Sequence, residues 1–70
     1  MWSQGNDSEY TFCIKHFDEP SQFGINGGRI SKLWMERDGI TVCSYDRGWD
    51  IEPIDEEALY AYEMLLERYN

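Results

Sequence analysis

"RISKLWMERDGITVCSYD", residues Arg29 to Asp46, decides the fold. Two runs of strand-forming residues flank Asp38-Gly39, a dipeptide that supplies the positive φ angles of a tight type I′ turn. The stretch therefore predicts a β-hairpin. Its register is less sharply specified: Leu33 and Met35 share one face while Ile30 and Trp34 share the other, so both faces carry apolar residues. One of these faces is a candidate interface.

Upstream of the hairpin, "EYTFCIKHF" (Glu9 to Phe17) alternates. Tyr10, Phe12, Ile14 and His16 fall on one face, with Thr11, Cys13 and Lys15 on the other. This predicts a strand, preceded by a polar N-terminus. In "DEPSQFGINGG" (Asp18 to Gly28) the proline and glycines forbid a regular element, while Phe23 and Ile25 give an ordered loop something to bury. Downstream, a helix is predicted from about Glu56 to Tyr69, with Asp55 as N-cap, Pro53 blocking an earlier start and Ile54 placed to staple onto Leu59. Its apolar stripe is Ala58, Leu59, Tyr62, Leu65, Leu66 and Tyr69, with Glu57, Tyr60, Met64 and Glu67 outward. The expected architecture is α+β, a three-stranded antiparallel sheet with one C-terminal helix packed on one face, in the order βββα.

Seventy residues make one domain, 1–70, because a chain this short buries only about 60% of its extended surface. Eleven aromatics strengthen so thin a core, and some must lie at the surface. A homodimer is therefore one expected state, with a monomer as the other.

The formal net charge is −8, unevenly placed: residues 1–45 carry net −2 and residues 46–70 net −6. Such a half repels phosphate backbones, which argues against direct nucleic-acid binding and suits a protein partner with a basic surface. Acidic chains are also common and soluble, and Asp55, Glu56 and Glu57 have a local role at a helix N-terminus. No signal peptide, apolar run of membrane length or lipidation motif is present, so a cytoplasmic location away from membranes is expected.

Reactive groups are scarce. Cys13 and Cys43 are too few for a disulfide framework or a zinc site and read as free thiols. His16, the single histidine, sits among apolar neighbours as a core-edge residue, and Cys13 lies on the opposite strand face from it. "GINGG" (Gly24 to Gly28) lacks the Lys-Ser/Thr of a phosphate-cradling loop and runs into a strand. "YDRGWD" (Tyr45 to Asp50) could offer a cation Asp46 and Asp50, with Glu52 or Asp18-Glu19. It lacks the acidic spacing and central glycine of a calcium loop. It reads better as a corner, with Gly48 freeing the chain, Arg47 pairing with carboxylates and Trp49 covering the core edge. A non-enzyme without metal or cofactor is expected.

The run "FDEPSQFGINGGRISKL" (Phe17 to Leu33), followed by "YDRGWD" and an acidic C-terminal helix, resembles a family of short acidic proteins, a domain of unknown function, from Gram-positive bacteria and their phages and prophages. The resemblance spans roughly Tyr10 to Tyr69 and brings no assigned activity, hence no catalytic residues. It implies a small product of mobile elements. In that setting the acidic surface suggests a non-enzymatic protein-binding module that inhibits a host nucleic-acid-handling defence enzyme, in the anti-CRISPR or antirestriction manner, carboxylates standing in for phosphates. The alternative is an accessory phage or bacterial protein that dimerises or binds another protein without inhibiting a defence system. The expected docking residues are Asp46, Arg47, Trp49, Asp50, Glu52, Glu56, Glu57, Glu63 and Glu67, acting in the host cytoplasm if phage encoded.

Overall fold

A computed structural model describes residues 1–7 and 9–70. Five strands follow one another: β1 (Trp2–Asp7), β2 (Tyr10–His16), β3 (Ile30–Arg37), β4 (Ile40–Asp46) and β5 (Trp49–Ile51). They form one antiparallel sheet in chain order, and α1 (Glu56–Tyr69) follows. The sheet is five-stranded, which corrects the expected three-stranded βββα arrangement to βββββα.

Both additional strands are edges, and their sequences show why they escape periodicity. In β1, Ser3 stands opposite Ile14 and Gly5 opposite Phe12, so the helix-facing positions carry no bulky apolar residue. A Cβ on Gly5 would already lie 3.3 Å from the Phe12 ring, so a small residue suits this position. Strand β5 has three residues, too few to show alternation.

The central strands follow their pattern. Phe12 pairs with Met35 and Ile14 with Leu33, while Met35 pairs with Cys43 and Leu33 with Tyr45. All six are buried beneath Ala58, Ala61, Tyr62 and Leu65 of α1. Burying an Ile- or Leu-sized side chain contributes about 1.5–3 kcal/mol. Leu59, expected in the helix stripe, is exposed together with Ile54, and Ala61 takes a buried place instead. Phe23 is likewise exposed, so Ile25 alone anchors the loop in the core. At the β3–β4 turn, φ is 53° at Asp38 and 77° at Gly39, as the dipeptide implies.

Three β-bulges break strict alternation. Lys15 pairs with Lys32 and His16 with Ile30, leaving Ser31 as the extra residue; Ile30 and Ser31 are both buried. Ile30 thus faces the helix and not the side of Trp34, correcting the expected register. Val42 is the extra residue of β4 and is buried beside Cys43; Asp50 is that of β5. The carbonyls of the first two bulges hold tertiary structure: Ser31 O accepts from Arg47 N (2.9 Å) and Val42 O from Ile54 N (3.1 Å). The helix begins where Asp55 accepts at 2.8 Å from the N–H of Ala58.

Candidate functional site

Tyr45 to Asp50 is the β4–β5 corner. Asp46 N donates to Gly48 O at 2.9 Å, and Arg47, at φ 59°, donates its N–H to the Ser31 bulge. Trp49 stacks edge-on against Tyr45 (5.1 Å between centroids) and Tyr62 (5.4 Å), closing the core under β5. Asp46 lies 3.7 Å from Lys32, an exposed pair of small energetic weight. Among the described residues, no three of His, Cys, Asp and Glu converge as metal ligands would.

The nine residues expected to dock a partner fall into separate groups. Glu56, Glu63 and Glu67 lie within about 40° of one another around the helix axis. Beside them stand Tyr60 and Met64, which are 65% and 52% exposed. Tyr60, Glu63, Met64 and Glu67 line a depression of about 270 Å³. Glu57 turns to the sheet end instead, where Arg37 donates to it (3.0 Å), to Asp55 (2.8 Å) and to the Tyr10 hydroxyl (2.8 Å). The hydrogen bond from Arg37, then the one from Ala58 N, holds the Asp55 carboxyl below its ordinary 3.8. Asp46 and Asp50 belong to the other side of the sheet, Arg47 stands with them, and Glu52 is exposed in the connector to α1. Trp49 is on the helix side.

That other face also gathers residues outside the expected site, among them Lys15, Lys32 and Trp34. Trp2, Cys13, Lys32, Trp34, Asp46 and Asp50 surround a shallow depression of about 210 Å³. Next to it lies a larger one of about 440 Å³, where Lys15, Lys32 and Arg47 meet Phe17 and Phe23. Lys15 Nζ stands 5.8 Å from the Trp2 ring centre and 5.5 Å from that of Phe17, and the Arg47 guanidinium is 5.1 Å from that of Phe23. Alternation in β2 and β3 already put Lys15, Lys32 and Trp34 on one surface. Trp2 joins this surface through β1, where it stands opposite Lys15.

The titratable core groups have structural partners. His16 Nε2 and Ser3 Oγ are hydrogen-bonded at 2.9 Å, and the imidazole packs on Tyr69 at 5.2 Å. Cys43 is fully buried, and burial pushes its thiol up to about 12. A thiol so protonated is a poor nucleophile at neutral pH. Cys13 is half-buried on the outer face.

No curated protein and no solved structure matches the chain. The family model described as "Domain of unknown function (DUF7678)" matches residues 1–70, and the chain belongs to that family.

Proposed function

We propose that the protein is a non-enzymatic protein-binding module that presents the outer ridge of α1 to a basic surface. The observation that carries this reading is the grouping of Glu56, Glu63 and Glu67 with exposed Tyr60 and Met64 on one helix face. Carboxylates steer association with a basic partner, while the aromatic ring and thioether supply area to desolvate at contact. The class of partner proposed is a protein whose basic surface handles nucleic acid, and the resemblance to phage and prophage products favours a host defence enzyme.

The test combines a pull-down from cell lysate with kinetics on the recovered partner. Glu63→Lys with Glu67→Lys is expected to slow association more than it speeds dissociation, and Tyr60→Ala to speed dissociation. Rising salt is expected to weaken binding, because exposed charge pairs are screened over about 8–10 Å at ordinary ionic strength. A partner indifferent both to salt and to the double reversal would refute the ridge.

A second reading, an accessory protein that self-associates, is favoured by Trp34, 39% exposed on the outer face, and by exposed Ile51. Light scattering decides it: a dimer weakened by Trp34→Ser supports self-association, and only the 8.3 kDa species at high micromolar concentration rejects it.

A further inference from the structure

On the sheet face opposite the acidic ridge, and independent of it, we infer a binding site for a compact oxyanion of the phosphate class, in the depression between Lys15, Lys32 and Arg47. Three of the chain's six Lys and Arg residues line this hollow, facing one carboxylate, Asp46. The local balance is thus positive in a molecule of net −8. The hollow also holds hydroxyls. Ser21 Oγ accepts from Phe23 N at 3.2 Å, leaving its own hydrogen free to donate, and Ser31 is anchored at the rear by donation to Lys15 O at 3.4 Å. Phe17 and Phe23 wall the hollow.

Backbone strain supplies a separate line of argument. Arg47 adopts φ 59°, a left-handed conformation that glycine enters without cost and a long side chain does not. The neighbouring Gly48 is not among the residues at positive φ. The corner therefore carries its strained backbone on an arginine beside a glycine that does not need the freedom. Strain of this kind persists where surrounding contacts over-determine it, here the bonds from Arg47 N to Ser31 O and from Asp46 N to Gly48 O, and the backbone so fixed aims the side chain into the hollow against Phe23.

Size and field limit the ligand. A volume of about 440 Å³ accommodates a phosphate or a small phosphomonoester. A long polyanion would run from the three cations toward Asp50 in the adjoining depression, and its further phosphates would be repelled. Guanidinium and ammonium groups form charge-assisted hydrogen bonds with such oxygens, arginine in a bidentate fork.

The experiment is an amide-resolved NMR titration of the 70-residue chain with inorganic phosphate and, separately, with adenosine monophosphate. The two arms distinguish free phosphate from phosphate on an aromatic carrier: equal affinity assigns the site to the anion alone, and tighter adenosine monophosphate binding adds stacking on the phenylalanines. Saturable shifts at Ser21, Phe23, Ser31, Lys32 and Arg47 are expected in at least one arm. Arg47→Gly is expected to keep or raise the melting temperature while weakening binding about ten-fold, the size of one charge-assisted hydrogen bond. Lys32→Gln is expected to weaken it similarly. No saturable shift with either probe would overturn the proposal. So would binding unaffected by both substitutions, or tighter binding by a single-stranded oligonucleotide than by either monophosphate.

Discussion

Arg37 ties the end of β3 to the start of α1, since one guanidinium serves Tyr10, Asp55 and Glu57. The Asp55 carboxyl, lowered in the folded chain, contributes stability that is present above its unfolded value of 3.8 and is lost as pH falls through the folded value. Asp55→Asn keeps a competent N-cap but removes the charge. It is expected to lower the melting temperature at pH 7, and the difference from the parent is expected to shrink in acid. A difference that stays constant with pH would show that the ion pair contributes nothing. At the alkaline end the sign reverses. Burial raises Cys43 from 9.0 to about 12 in the folded chain, and burial, then the neighbouring Cys43, Tyr45 and Glu63, raises Tyr62 from 10.0 to about 12. The folded state then holds protons that the unfolded state releases, so stability is full below about pH 9 and declines as pH rises through 12. Denaturant midpoints measured upward from pH 8 check this decline. Under native conditions a thiol reagent is expected to modify Cys13 first, with Cys43 reacting only on unfolding.

The elements read correctly from sequence were those whose local chemistry and burial agree. Asp38-Gly39 closed β3 on β4, Asp55 started α1, and β2 alternated because one face meets the helix and the other meets solvent. Strand β1 was missed because an edge above Phe12 and Ile14 needs small residues, which leave no apolar period. The bulges at Ser31 and Val42 were missed because an inserted residue reverses the face of everything beyond it without changing composition. For the site, the helix acids were legible from 3.6-residue spacing, whereas the face of Asp46, at the end of β4, turns on the Val42 bulge, and that of Asp50 on β5, which is too short to show a period. In α1 the side chains that count are those under the sheet. Leu65 is 1% exposed, and Leu65→Ala is expected to cost about 2–5 kcal/mol in chemical denaturation. The partly buried Leu66 is expected to cost less on the same substitution. The reverse order would place the helix in a different rotation about its axis.

The whole molecule is electrically divided. The helix side carries most of the −6 of residues 46–70, while Lys15, Lys32 and Arg47 gather beyond the sheet. Its two proposed surfaces therefore predict different responses to one reagent: the cationic hollow binds phosphate saturably, whereas docking through the acidic ridge is only screened by it. The strictly sequential order of the sheet also carries a kinetic consequence. Each strand pairs with its neighbour in the chain, so no segment waits for a distant one before its hydrogen bonds form. Such local closure places the protein toward the faster end of β-rich folders, with the β3–β4 hairpin, whose turn has the Asp-Gly chemistry and whose strands carry Leu33, Met35 and Cys43 into the core, as the expected nucleus. In stopped-flow experiments Gly39→Ala, which forces a side chain into φ 77°, is expected to retard refolding. Trp2→Ala on the outermost strand is expected to act mainly by accelerating unfolding. The expected order of assembly thus runs outward from the β3–β4 turn, with the two edge strands the last to join and the first to leave.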